Sequence, residues 1–270
     1  MKIFLSSGSI FPLSVSQAIR FARDAGYDGV EVVNLYGWRN KNVEKYRELA
    51  RKYELALHFH EVWSLEDNPT HKINHFLNLL GRLPPTDSSL ERQFGGVTEP
   101  VVVYPHRWKE VLDKRNFWLQ TCSVHRDGKL RSSYGEFLKI IIKNRLPVVF
   151  DTQHYLEWCL VTMGVENIPS DSLVLFNLLQ QGWRVLGQYV KEIHLNDFSP
   201  SLGHEMGRNL FLGTGVLPLR EFASLVRQSG WDGIIVPEIS PTHILSLRPG
   251  KTVSNLMVLR EKVKKAFPSD

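Results

Sequence analysis

Eight short apolar runs, separated for the most part by stretches of helical spacing, constrain this chain more than any other feature. They occupy 2–6 (KIFLS), 28–33 (DGVEVV), 55–60 (LALHFH), 100–104 (PVVVY), 117–122 (FWLQTC), 147–151 (PVVFD), 190–195 (VKEIHL) and 234–238 (IIVPE). Several are rich in Val and Ile and run continuously apolar, the signature of a parallel strand covered on both faces. Helices are expected over 14–25, 41–52, 70–80, 133–144, 171–187, 218–229 and 252–266, with Ser14 and Ser172 as N-caps and Gly26 and Gly230 just past two helix ends. Gly26-Tyr27-Asp28-Gly29-Val30-Glu31-Val32 and Gly230-Trp231-Asp232-Gly233-Ile234-Ile235-Val236 echo each other, so both read as helix-to-strand turns of one build. Strand–helix alternation on this scale predicts a closed (β/α)8 barrel, one domain over residues 1–270. A doubly wound open sheet is disfavoured because no Gly-x-Gly-x-x-Gly turn follows the first strand. One crossover is anomalous: between the fourth and fifth strands only 107–115 remains for a helix.

Composition narrows the class. Apolar residues make up 43% and charged residues 23%, as in a soluble globular chain, and no run approaches the length of a spanning helix. Met1–Leu5 is broken too early by Ser6, Ser7, Gly8 and Ser9 for a signal peptide, and reads as a first strand. Cys122 and Cys159 are too few for a disulfide framework, so a cytoplasmic location is expected. The net charge of +5 would tolerate an anionic partner. However, the basic residues are scattered except for Arg260, Lys262, Lys264 and Lys265, which read as a solvated helix end. No membrane and no nucleic-acid partner is therefore expected; a homodimer is left open.

In a barrel the chemistry sits at the C-terminal strand ends. Those ends read Glu31; His58, His60 and Glu61; Tyr104 and His106; Gln120; Asp151 and His154; His194, Asn196 and Asp197; and Glu238. A buried carboxylate at the end of an apolar strand needs a partner or a metal to compensate it. Asp151, His194 and Glu238 are expected to converge from three successive strands, and two carboxylates with one imidazole suit Mn²⁺, Mg²⁺, Zn²⁺ or Co²⁺. Of His58 and His60, only His60 is placed toward the barrel axis. His106 reads equally as a substrate contact or a loop residue, and Asp197 as a substrate contact or a loop cap. His71, His75, His125 and His243 carry no motif. The tryptophans at 38, 63, 108 and 158 could rim a sugar site, although packing explains them as well.

These elements resemble the xylose-isomerase-like barrel superfamily, which includes sugar epimerases, sugar-phosphate isomerases, inosose dehydratases and endonuclease IV. Phe150-Asp151-Thr152-Gln153-His154 resembles its Asp-Thr-x-His element, and Ile193-His194-Leu195-Asn196-Asp197 its His-x-x-Asp element. Leu212-Gly213-Thr214-Gly215 is similar to the Gly-x-Gly loop that follows, and the two echoed turns to the family's second and eighth strands. The resemblance implies a metal set of Gln120, Asp151, His194 and Glu238, in which Gln120 stands where the family has Glu. It further implies His154 as a substrate contact, and Glu238 with His154 as the catalytic pair. His60, His106, Asp197 and Arg208 are the remaining substrate-binding candidates.

Three functions follow as expectations. The first is a metal-dependent isomerase or epimerase acting on a small sugar, sugar phosphate or polyol, with Glu238 as base. The second is a catalytically degenerate barrel, favoured by Gln120 and the short fourth crossover. The third is an endonuclease IV-like nuclease, against which Tyr104 and Gly207-Arg208-Asn209 count, because metal-binding histidines are missing there.

Overall fold

The structure is a computed structural model that describes residues 1–33, 41–61, 90, 94–114, 116–121, 134–164, 169, 171–199 and 207–268. The expected helix at 70–80, together with Cys122, Trp38, Trp63, His71, His75 and His125, lies outside the described residues. Eight parallel strands close a barrel: β1 Lys2–Ser6, β2 Gly29–Val33, β3 Ala56–His60, β4 Val101–Val103, β5 Phe117–Gln120, β6 Val148–Asp151, β7 Val190–Leu195 and, after a small hairpin, β10 Ile234–Pro237. β10 pairs with both β7 and β1, which closes the ring. The hairpin, β8 Asp197–Ser199 with β9 Gly207–Leu210, is antiparallel and stands above the end of β7. No described helix is long and apolar enough to cross a membrane.

The helices are α1 Val15–Asp24, α2 Lys41–Lys52, α3 Trp108–Val111, α4 Tyr134–Asn144, α5 Thr152–Thr162, α6 Ser172–Leu186, α7 Leu219–Gln228, α8 Pro241–Ile244 and α9 Pro249–Ala266. α1 starts at Ser14 with a full capping box, in which the Ser14 hydroxyl accepts from the Gln17 amide and Gln17 reaches back to the Ser14 amide. α6 is capped by Asp171, whose carboxylate accepts from the Leu173 amide, so the expected cap at Ser172 is displaced by one residue. A carboxylate at the helix start also meets the positive end of the helix dipole, which favours Asp over the neighbouring Ser. Gly26 and Gly230 adopt φ of 75° and 70°, the left-handed turn that lets each helix fold back into a strand. The anomalous fourth crossover is a single turn of 3-10 helix, Pro105–Arg107, running into the one-turn α3.

The barrel interior is layered, with four side chains per layer drawn from alternate strands. Phe4 of β1, His58 of β3, Trp118 of β5 and Glu192 of β7 form one such layer. His58 makes edge contacts with Phe4 and Trp118 at 4.7 and 4.9 Å, and an ion pair with Glu192. Two residues further along the same strands stand Ser6, His60, Gln120 and His194, one layer nearer the C-terminal mouth. A polar column thus rises through a barrel whose outer wall is Val, Ile, Leu and Phe packed against the helices.

Candidate functional site

Asp151 ends β6, and its register places it directly opposite His194 of β7; His194 is in turn opposite Val236 of β10, two residues before Glu238. Adjacent parallel strands therefore bring the three groups together. One ligand atom from each of Asp151, His194 and Glu238 lies within 4.8 Å of the others. His194 Nδ1 is 3.8 Å from Asp151 Oδ2 and 3.7 Å from Glu238 Oε1, and it has no hydrogen-bond partner among the described residues. A buried imidazole nitrogen aimed between two carboxylates is the donor arrangement that a divalent cation completes.

Gln120 and Asn196 surround this cluster with amides. Gln120 Nε2 donates to Asp151 Oδ2 at 3.0 Å, and Asn196 Nδ2 donates to Asp151 Oδ2 and Glu238 Oε2, both at 3.2 Å. The amide oxygens of both residues are buried and unpaired among the described residues. Gln120 therefore faces the site, but with its nitrogen toward Asp151. Rotating the amide by half a turn would present the oxygen as a ligand. The donor set fits a hard or borderline divalent ion: two carboxylates, one imidazole and one amide oxygen available by that rotation.

Below the cluster the charges continue. His194 Nε2 meets Glu192 Oε1 at 3.0 Å in hydrogen-bond geometry, and the other Glu192 oxygen takes the His58 Nδ1 contact at 2.7 Å. Glu31 Oε2 is 2.9 Å from the same Nε2, yet neither Glu31 oxygen receives an aligned hydrogen bond among the described residues. Distance and alignment disagree here; alignment decides which carboxylate takes the proton, because a hydrogen bond weakens steeply off-axis. Burial would lower the His194 pKa, but the charges of Glu31 and Glu238, with the short side-chain contacts to Glu192 and Glu31, raise it well above the usual imidazole range. Burial pushes Glu192 up, and His58 and His194 more than reverse this, holding it at about 2. Burial raises Asp151, with Glu238 adding to it and His154 and His194 opposing. Without a metal, a protonated His194 is the cation on which these carboxylates converge.

His154 opens α5. Its backbone amide caps the helix on Asp151 Oδ1 at 2.8 Å, so one carboxylate oxygen is committed to the helix start. Its ring meets Glu157 at 3.0 Å, and Gln153 steadies the other Glu157 oxygen at 3.0 Å. His60 and His58 both point into the barrel, correcting the expectation that only one of them would: alternate residues of a strand share a face. His60 stacks on His194 at 5.4 Å, and its Nδ1 meets the Glu61 carbonyl at 2.5 Å. A carbonyl only accepts, so Nδ1 carries the proton. Glu31, His60 and His194 form a second group close enough for a cation.

Asp197 caps the loop after β7, one of the two roles expected of it. Its carboxylate is buried and accepts five backbone amides: Phe198 and Leu217 on Oδ1, Gly213, Thr214 and Gly215 on Oδ2, at 2.8 to 3.1 Å. This folds the Gly-x-Gly loop onto the hairpin. Arg107 pairs with Glu61 at 2.9 Å and Glu110 at 2.8 Å beside the mouth. Tyr104 is fully buried, and burial together with Glu61 and Glu238 raises its phenol well above the ordinary range. Trp108 packs on the core, Trp158 is buried in it, and His243 is exposed on α8. The side chains of His106 and Arg208 lie outside the described residues. Glu192, absent from the strand-end reading, is the main group that reading missed. Its signal was a Glu two residues before His194 in a strand, hence on the same face.

The sequence profile of the xylose isomerase-like TIM barrel family matches residues 119–262. Solved structures similar over the whole chain include a D-tagatose 3-epimerase-like protein, 17% identical with a TM-score of 0.60, covering 98% of this chain and 99% of that one. The IOLI protein with a binding zinc atom is 14% identical with a TM-score of 0.61, covering 100% of both chains. Endonuclease IV from Thermus thermophilus is 17% identical with a TM-score of 0.57, covering 98% of this chain and 100% of that one. No curated protein matches the chain.

Proposed function

The chain belongs to the xylose isomerase-like TIM barrel family, and from that premise we propose that it is a metal-dependent isomerase or epimerase acting on a small sugar, sugar phosphate or polyol. The observation that carries this reading is the convergence of Asp151, His194 and Glu238, with His194 Nδ1 buried, unpaired among the described residues and facing both carboxylates. Asp151, His194, Glu238 and a rotated Gln120 would hold the ion. Such an ion supplies Lewis-acid polarisation of a hydroxy-ketone, which acidifies the neighbouring C–H. Glu238 is the base: it keeps 20% of its side chain exposed at the mouth while Asp151 and His194 are sealed, so it alone of the three can meet a substrate carbon. His154, 12% exposed and held by Glu157, is placed to hydrogen-bond a substrate hydroxyl. With an amide at Gln120, no second carboxylate stands at the fifth-strand position among the described residues. One-base isomerisation is therefore favoured over two-base epimerisation.

The test is proton exchange. Purified protein loaded with Mn²⁺ or Co²⁺ and offered a panel of ketoses and ketose phosphates in D₂O should incorporate deuterium at the carbon next to the carbonyl. Glu238→Gln, which keeps an amide oxygen as a weaker ligand, should abolish incorporation even at metal concentrations that saturate the variant. The second reading, a degenerate barrel, is favoured by the Gln120 amide already donating to Asp151, because hydrogen bonds can then steady the carboxylates in place of a cation. No exchange on any substrate of the panel, with or without bound metal, would select it.

A further inference from the structure

We infer that Glu192 is the positioning residue that decides which face of His194 a cation can use, and that His58 holds Glu192 in that role. The inference rests on the reading of Asp151, His194 and Glu238 as a metal centre, and concerns a residue outside that ligand set. His194 has two candidate cation groups, one on each side of its ring: Asp151 with Glu238, and Glu31 with His60. A neutral imidazole offers one lone pair, so the location of its proton selects between them. Glu192 Oε1 stands 3.0 Å from Nε2 in hydrogen-bond geometry, whereas the Glu31 oxygens, although close, are not aligned. The proton is therefore kept on Nε2, and Nδ1 is left to face Asp151 and Glu238.

Glu192 can do this because it is pinned from the opposite wall of the barrel. β3 and β7 are four strands apart in the ring of eight, so His58 and Glu192 meet across the axis at 2.7 Å. Phe4 and Trp118 close on the His58 ring from two further strands. Each Glu192 oxygen thus has its own imidazole, and the carboxylate has no freedom to turn away from His194. A carboxylate wholly buried in a layer that barrels usually fill with branched apolar residues is costly unless it is fully paired, as here. Outer partners of this kind orient a ligating imidazole and raise its basicity.

The test uses full-length protein selectively labelled with ¹⁵N in histidine, with Zn²⁺ as the probe ion. Resonances of His194 are assigned by their loss in His194→Asn. In the Zn²⁺ form of the wild type the single ring proton should sit on Nε2; in the metal-free imidazolium both nitrogens are protonated, and the Nε2 proton should be the slowly exchanging, hydrogen-bonded one. Glu192→Gln should move that proton upfield and weaken Zn²⁺ binding by about 10–100-fold in a competition titration with a chromophoric chelator. His58→Gln, which frees Glu192 without removing it, should weaken binding in the same direction by less, and serves where Glu192→Gln does not fold. A hydrogen-bonded proton on Nδ1 in the Zn²⁺ form would place the ion on the Glu31–His60 side and overturn the inference. So would unchanged Zn²⁺ affinity in a folded Glu192→Gln. If the wild type binds no divalent ion, the metal-centre reading fails, while the metal-free imidazolium, which carries a proton on both nitrogens, still decides the role of Glu192: its hydrogen-bonded, slowly exchanging proton should be the one on Nε2 and should lose that protection in Glu192→Gln.

Discussion

At the scale of single residues, the site is a problem of buried charge. Asp151, Glu31, Glu192 and His194 are all fully buried, and a lone ion in such a place is not tolerated. Their opposed shifts set the pH profile of the metal-free protein. Glu192 is lowered to about 2, so its contribution is present above the unfolded carboxylate pKa of about 4.3 and is lost as pH falls toward 2. His194 is raised, so its contribution is complete below the unfolded value of about 6.5 and is lost as pH rises through the folded one. Asp151 is raised as well, which adds to the loss on the alkaline side. Thermal unfolding in the presence of a chelator should therefore peak between about pH 4.5 and 6.5, and a melting point still climbing at pH 8 would contradict the buried-imidazolium account. Gln120→Glu tests the fifth-strand position. It places a carboxylate where an amide now donates 3.0 Å from Asp151, so the metal-free variant should be less stable and Mn²⁺ should bind it more tightly. Isothermal titration measures the second effect, and unchanged affinity would show that Gln120 is no ligand position.

At the scale of elements, the loop above β7 depends on Asp197. Five amides converge on one carboxylate, and a Cβ on Gly215 would strike the Phe198 carbonyl and Asp197 itself. Asp197→Ala removes every acceptor at once and should destabilise the protein by roughly 2–4 kcal/mol, since stranded buried donors cost about 1–3 kcal/mol each but relax in part. Chemical denaturation would show it, and a loss below about 0.5 kcal/mol would return Asp197 to the substrate-binding role read from the motif alone. Ser14→Ala, which removes one half of the α1 capping box, should cost about 1 kcal/mol and leave the site untouched. The elements that sequence reading placed well were those with a strong period. β1 and β7 occupy the expected residues, and the other strands differ at their ends by one or two positions. The hairpin Asp197–Ser199 with Gly207–Leu210 and the helix Thr152–Thr162 were missed. The hairpin strands are too short to show alternation. The helix is buried over most of its surface and so has no amphipathic stripe to read.

At the scale of the whole molecule, a cation at the mouth would cross-brace β6, β7 and β10. Binding to the native state alone stabilises by about 2.7 kcal/mol at a hundred times the dissociation constant. For a chain of this size that is a rise in melting temperature of roughly 5–10 °C. The rise should appear with Mn²⁺, Co²⁺ or Zn²⁺ near pH 7.5 and shrink by pH 5, because His194 and Asp151 must release protons to ligate. Absence of any shift at millimolar metal would argue for the degenerate reading.

The residues alone determined the barrel, because parallel strands buried on both faces impose a local apolar code that eight segments repeat in phase. They also determined that Asp151, His194 and Glu238 stand at successive strand ends, since each closes a legible strand. Only the tertiary structure decided what lies across the barrel axis. His58 and Glu192 are 134 positions apart, and their 2.7 Å contact exists because closure sets β3 opposite β7. That His58 and His60 both point inward was, by contrast, already set locally, since residues two apart on a strand share a face. The pairing of β5 with β6 set the Gln120 amide against Asp151. Local patterning records which face of a strand is buried. It does not record which side chain from another strand will share that interior, because that partner is chosen by the stagger of the closed sheet.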